Sequence, residues 1–123
     1  MLTQGGARDD SADRLALLQG TLDLLILRIL RLGRQHGQGI ARAIQEQSED
    51  LLLVEHGALY PALQRLEAKG WIVAEWGTSS NNRRARFYTL TKQGRKQLVQ
   101  EAGRWRTMVR AIAQVLGPEG QET

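Results

Sequence analysis

The residues with the clearest chemical potential lie in the middle of the chain, between Gly57 and Leu90. Four polar or cationic side chains belong to a predicted helix, and three arginines follow a polar loop: Tyr60, Gln64, Arg65 and Lys69, then Arg83, Arg84 and Arg86. Glutamine can form two hydrogen bonds with adenine, arginine suits guanine or phosphate, and a tyrosine hydroxyl can hold a phosphate. The pattern therefore predicts a nucleic-acid interface, and its alternative is the solvated side of a surface helix.

Positive charge is concentrated on the same part of the chain. The 123 residues carry a net charge of +4, whereas residues 56–96 contain eight Lys or Arg and two acids, and the remainder is net acidic. Three arginines close together repel one another unless an anion lies among them. This distribution favours a polyanionic partner, and a solvated basic face is the alternative.

No catalytic or metal-binding pattern accompanies these residues. The chain has no cysteine, which excludes disulfides and thiolate chemistry. Its two histidines, His36 and His56, lie near glycines in predicted turns, without metal-ligand spacing. Gly33, Gly37 and Gly39 form no phosphate-binding loop and indicate loops instead. We therefore expect a protein that is not an enzyme and needs no cofactor or metal.

The sequence also argues against a membrane partner. Its most apolar stretch, residues 22–32, is interrupted by Asp23 and Arg28 and is far shorter than the roughly 20 apolar residues of a membrane span. The N-terminal segment has neither a basic start nor an apolar signal region. A cytoplasmic location is the expectation.

Three helices are predicted to position the candidate contacts. The first ends near Gly33, with its start either at Thr21 or as early as Ala12, and the second is centred on residues 40–46. The third is expected over residues 57–69, because Pro61 is tolerated in the first turn of a helix. Its apolar stripe leaves the polar side chains facing outward and consists of Leu59, Leu63 and Leu66.

Two short strands should follow the third helix. Residues 71–76 and 86–90 are rich in aromatic and β-branched types, and the eight-residue segment GTSSNNRR between them is longer than a tight turn. The run from Leu51 to Val54 predicts either a brief strand or a turn. Three helices and a hairpin are the order of a winged helix-turn-helix, mainly α with a small β-hairpin, whose wing is residues 76–87 and whose recognition helix enters the major groove.

A long C-terminal helix is predicted after the N-cap Thr91, running to about Leu116. Apolar residues recur at alternating intervals of four and three, as in helices that pair: Leu98, Ala102, Trp105, Val109, Ile112 and Leu116. This seam could pack on the first helix, but it exceeds what a small core covers, which favours a homodimer. Such a dimer would place two recognition helices about 34 Å apart on a palindromic site. Trp105 either fills the dimer core or forms a stacking platform for a flat ligand.

The chain thus divides into four predicted parts. Residues 1–14 form a disordered tail, 15–91 a winged helix-turn-helix domain, 92–117 a dimerisation helix, and 118–123 a second tail.

The segments LLQGTLDLLILRIL, GALYPALQRLEAKGWI and NNRRARFYTLTKQGRKQL resemble the PadR-like family of bacterial transcriptional regulators, especially its small members with one C-terminal helix. The likeness covers nearly all of residues 17–117. It implies a homodimeric winged-helix repressor of an inverted-repeat operator, with DNA contacts at Tyr60, Pro61, Arg83 and Arg84. In some members a central tryptophan pair binds flat aromatic compounds, and Trp105 matches that position.

Two residues depart from the family pattern: Gln38 replaces a common tyrosine, and Ala58 replaces a common serine or threonine. Losing the hydroxyl at residue 58 removes a plausible phosphate contact. The competing functions are a winged helix that binds another protein and one that binds RNA, neither of which needs two sites at a fixed spacing.

Overall fold

The computed structural model describes residues 21–118. The predicted N-terminal tail, the early helix start at Ala12 and Leu18 lie outside the described residues, as do residues 119–123. Within the described range the order of elements is that of a winged helix: α1 (21–32), β1 (Gln35–His36), α2 (Gly37–Gln47), α3 (His56–Ala68), β2 (Ile72–Thr78), β3 (Arg84–Leu90) and α4 (Lys92–Leu116). The strands form an antiparallel sheet of order β1-β3-β2. The predicted fold class is confirmed.

An apolar core joins the three short helices to the sheet. The predicted stripe of α3 is confirmed, since Leu59, Leu63 and Leu66 are at most 1% exposed. They pack with residues of the other elements: Leu22, Ile26, Leu27, Ile40 and Ile72. Apart from Tyr88, no side chain with a polar or charged group is buried in the part of the chain that the structure describes. The groups capable of recognition therefore lie at the surface.

β1 was not predicted, and the interpretation of its surroundings as turns was wrong. Gln35 pairs with Tyr88 and His36 with Phe87, so a two-residue strand forms against a distant part of the chain. His36 also caps α2, because its Nδ1 accepts a hydrogen bond from the Gly39 amide at 3.1 Å. Gly37 and Gly39, which had indicated loops, therefore lie in the first turn of α2. Gly33 does lie in a loop, between α1 and β1.

α3 begins at His56, one residue before the expected start. Pro61 is its sixth residue and lies inside the helix, so the argument that placed it in the first turn was wrong. A proline there deprives the Gly57 carbonyl of its usual helical donor. Both residues are exposed, so water can satisfy that carbonyl. The helix ends as expected, with Gly70 at φ +78°.

The wing is more tightly closed than predicted. Both strands extend toward the tip, where Gly77 pairs with Ala85 and Thr78 with Arg84, so the expected eight-residue loop is only residues 79–83. The Ser79 amide donates to the Arg83 carbonyl at 2.8 Å and closes the turn. Residues 51–54 form neither of the predicted alternatives, a strand or a turn that fills the core: they are irregular, with Leu51 and Leu53 exposed and Leu52 and Val54 packed against the core.

α4 begins at a junction with the end of α3. The Thr91 hydroxyl accepts a hydrogen bond from the Gly94 amide at 3.0 Å and donates to the Gly70 carbonyl at 2.8 Å. The predicted N-cap is confirmed. Leu98 is buried, but α4 then leaves the core, and Trp105, Val109 and Ile112 are 47%, 42% and 50% exposed. No helix among the described residues is long and apolar enough to cross a membrane.

The junction predicts a strong effect of a methyl group at Gly94. A Cβ there would lie 2.1 Å from the Trp71 carbonyl oxygen and 2.8 Å from Leu90 Cδ1. We expect Gly94→Ala to lower the free energy of unfolding by about 1–3 kcal/mol, because backbone must move to accommodate it. Urea unfolding at one fixed protein concentration measures this change.

Gly103→Ala is the matched control on the same helix. A Cβ at Gly103 would meet nothing within 4 Å. Alanine should therefore raise the free energy of unfolding by up to about 1 kcal/mol, since it has the better helix propensity. Equal effects of the two substitutions would contradict the close contact at Gly94.

Candidate nucleic-acid interface

α3, the start of α2 and the wing enclose a surface groove of about 370 Å³. Four of the predicted contact residues line it: Tyr60, Gln64, Arg84 and Arg86. The other lining residues include Trp76, Tyr88 and residues 36–38, none of which was a predicted contact, although Trp76 lies in the predicted wing. The groove therefore brings together chemical groups from three elements that are separate in the sequence.

Tyr60 lies against the first residue of α2. A Cβ at Gly37 would lie 2.9 Å from the Tyr60 hydroxyl oxygen and 3.0 Å from its ring, so only glycine allows this approach without a shift of the ring. The His56 ring meets Tyr60 edge to face at 5.8 Å. These two contacts hold the phenol at the rim of the groove. The glycine at residue 37 was the available signal, but spacing alone did not distinguish it from a loop glycine.

Gln64 lies one helical turn after Tyr60 on the exposed side of α3. None of the described residues forms a hydrogen bond with its side-chain amide. Both its oxygen and its nitrogen can therefore bind an external partner, which is the requirement for two hydrogen bonds to one base.

Two predicted contacts of the recognition helix 57–69, Arg65 and Lys69, do not face the groove. Arg65 Nη2 lies 2.8 Å from Asp23 Oδ1 of α1, and Lys69 Nζ lies 4.6 Å from the centroid of the Trp71 ring. Neither side chain lines the groove. Pro61 is exposed beside Tyr60 but does not line the groove either. The geometry assigns Arg65 to the contact between α3 and α1.

The three wing arginines differ in their partners. Arg86 Nη2 forms an ion pair with Glu67 Oε2 at 3.0 Å, which neutralises its charge. Arg84 Cζ instead lies 4.6 Å from the centroid of the Trp76 ring, and Arg83 is exposed at the tip. Among the described residues, neither has a carboxylate partner. Arg83 and Arg84 therefore carry the uncompensated charge of the wing.

Tyr88 forms part of the groove wall and is 4% exposed. Burial raises the pKa of its hydroxyl above the usual value, and the nearby charge of Arg86 acts in the opposite direction. The hydroxyl therefore stays protonated at neutral pH. The sequence indicated Tyr88 as a strand residue, and its place in the groove followed from the pairing of β3 with β1.

A second, mainly apolar pocket of about 470 Å³ lies between α1 and α4. Three residues of the predicted seam line it, Leu98, Ala102 and Trp105, and Arg28 and Arg106 add positive charge. Leu116, the last seam residue, is 76% exposed. The seam thus begins in the core and ends in solvent. Among the described residues, no group of three His, Asp or Glu could hold a metal ion.

Comparison with known proteins gives the chain a family. The model of the transcriptional regulator PadR-like family matches residues 26–100, which is more than half of the chain. The match spans α2, α3, the whole wing and the first part of α4. The groove therefore lies entirely within the matched region.

Solved structures of bacterial regulators have the same fold. A PadR family transcription regulator from Clostridium difficile is 32% identical, with a TM-score of 0.68 over 79% of this chain and 99% of that one. A transcriptional regulator from Clostridium thermocellum is 28% identical, with a TM-score of 0.72 over 79% and 94%. A PadR family regulator from Eggerthella lenta is 26% identical, with a TM-score of 0.73 over 94% and 98%. The chain belongs to the PadR-like family of transcriptional regulators and is a DNA-binding winged-helix protein, not an enzyme.

Proposed function

We propose that the protein is a homodimeric repressor that acts in the cytoplasm and binds an inverted-repeat operator. In this proposal residues 15–91 bind DNA and residues 92–117 hold two copies together. The observation that carries it is the meeting of Gln64, Tyr60 and Arg84 in one groove, on a chain whose last helix is exposed along its apolar side. A protein bound to the operator blocks the access of other proteins to that DNA. A promoter that overlaps the operator is therefore repressed.

α3 is proposed to lie in the major groove of the duplex. Its buried stripe fixes the opposite face outward, so Tyr60 and Gln64 point away from the core. Gln64 is the proposed base-reading residue because its amide has no partner in the described part of the chain. The Tyr60 hydroxyl is proposed to contact phosphate and so to fix the position of the helix.

The wing is proposed to contact the phosphate backbone beside the major groove. Arg83 and Arg84 are suited to this role because no carboxylate of the described residues neutralises them. Arg86 is a weaker candidate, since Glu67 already binds its guanidinium. Arg65 and Lys69 have intramolecular contacts outside the groove and are proposed to contribute mainly to the fold.

α4 is proposed to pair two copies of the chain. Trp105, Val109 and Ile112 lie along one side of the helix and are all more than 40% exposed. Exposed apolar side chains at this spacing are stabilised when a second helix covers them. A two-fold dimer would set the two copies of α3 about one DNA turn apart, or about 34 Å.

An aromatic ligand is proposed to bind beside Trp105 at the dimer interface and to release the operator. The pocket between α1 and α4 supports this, because its walls are mainly aliphatic and Trp105 is one of its lining residues. A ligand there would touch α4, whose pairing sets the spacing of the two DNA-binding units. Binding could thus change affinity for DNA without any contact to the groove.

The wing proposal predicts a change in salt dependence. Arg83→Ala combined with Arg84→Ala should weaken binding to duplexes of any sequence, because phosphate contacts are independent of sequence. The slope of log affinity against log salt should fall by about 0.9 for each lost contact. Fluorescence anisotropy with a mixed-sequence duplex over a salt series measures both quantities.

The control for this variant is Arg104→Ala combined with Arg110→Ala. It removes the same charge from α4, which does not line the groove. Its salt slope should match that of the unaltered protein. An unchanged slope in the wing variant would exclude the wing arginines from the interface.

The dimer proposal predicts that a charge in the seam separates the subunits. Ile112→Asp should give monomers in light scattering, since a carboxylate at the centre of an apolar interface would lose its hydration. Ala111→Asp is the matched control: it adds the same charge at a neighbouring exposed position outside the seam, and should remain dimeric. A dimer that survives Ile112→Asp would place the interface elsewhere.

The ligand proposal predicts quenching of Trp105. In a variant with Trp71→Phe and Trp76→Phe, Trp105 is the only tryptophan, and a planar aromatic sulfonate should quench its fluorescence saturably. Adding Ile112→Asp to that variant should weaken the quenching, because the proposed interface would add the partner subunit to a pocket whose walls within one chain are α1 and α4. Absence of saturable quenching in the dimer would leave Trp105 as a residue of the interface core.

A further inference from the structure

Trp76 is a large aromatic residue that the core does not use. It lies on β2, is 58% exposed and lines the groove beside the wing. An exposed tryptophan forgoes most of the stabilisation that burial of its ring would provide. Its ring contacts Arg84, whose Cζ lies 4.6 Å from the centroid of the Trp76 ring.

The register of the wing explains how the two side chains meet. Trp76 is paired directly with Arg86, and Arg84 lies two residues away on β3, on the same face of the sheet. The indole therefore reaches Arg84 diagonally across the hairpin. Arg84 is also the first residue of β3 after the turn, so its backbone is held by its pairing with Thr78.

The contact leaves the guanidinium able to bind. A cation–π contact engages the charge of a guanidinium without using its N–H groups as donors to a carboxylate. Arg86, by contrast, has Nη2 occupied by Glu67. Trp76 thus holds Arg84 in place without neutralising it, which an acidic partner would do.

We propose that Trp76 is a positioning residue for DNA binding, whose indole holds the Arg84 guanidinium at the groove in an orientation suited to a phosphate of the duplex. The proposal rests on the proposed function, in which Arg84 contacts the DNA backbone. It adds a residue whose side chain carries no charge and forms no hydrogen bond with any of the described residues. The contact with Trp76 restricts the Arg84 side chain before DNA binds, so that side chain loses less conformational entropy on binding.

A double-mutant cycle tests this role in the full chain, with a mixed-sequence duplex as the probe. Trp76→Leu should weaken binding about two- to fivefold, the range for loss of an exposed cation–π contact. The same substitution should have no further effect in an Arg84→Ala background, because the residue that it positions is absent. Trp76→Phe should retain most of the affinity, since it keeps an aromatic face.

Val73→Leu is the control on the same strand. Val73 is 53% exposed and lies on the opposite face from Trp76, so this substitution should leave binding unchanged. If Trp76→Leu weakens binding equally with and without Arg84, the indole acts independently and the positioning role is wrong. If Arg84→Ala alone has no effect, the proposed wing contact itself fails, whatever Trp76→Leu does.

Discussion

Burial of one side of α3 is the constraint on which the rest of the structure depends. Leu59, Leu63 and Leu66 are fixed in an apolar core that contains no charged side chain among the described residues. A helix buried on one side has its opposite side determined, because its side chains recur every 3.6 residues. Tyr60 and Gln64 face solvent for that reason. The polar face of α3 is thus a consequence of how the core is packed.

Ion pairs within the chain then determine which arginines near that face keep an uncompensated charge. Acids of two different helices bind two arginines: Asp23 binds Arg65, and Glu67 binds Arg86. These pairs are partly exposed and add little stability, but they direct guanidinium groups that would otherwise be free. The wing keeps its uncompensated charge at the tip and the adjoining end of β3. Within the wing, uncompensated positive charge is therefore concentrated at Arg83 and Arg84, whereas the charge of Arg86 is neutralised.

The two ends of α4 have different physical roles. Its start is bound to the fold by Thr91, which joins the Gly70 carbonyl to the Gly94 amide, and by the burial of Leu98. Its second half has an apolar side that nothing in the described chain covers. A domain of this size has one modest core, and the apolar side of this second half lies largely outside it. A helix that is fixed to the fold at its start and exposes an apolar side at its end suits the proposed role of α4. In that role, the contact between subunits would set the position of the DNA-binding unit.

The sequence by itself determined the order of the helices and the hairpin, the apolar stripe of α3, the Thr91 cap and the extent of α4. These features follow from short-range periodicity and from capping chemistry, which neighbouring residues in the chain specify. Only the tertiary structure decided that β1 exists, that Gly37 lies under Tyr60 and that the wing closes in five residues. It also decided which arginines are free, because the partners of Arg65 and Arg86 are distant in the sequence. Such pairs depend on the packing of whole elements, and no local pattern records them.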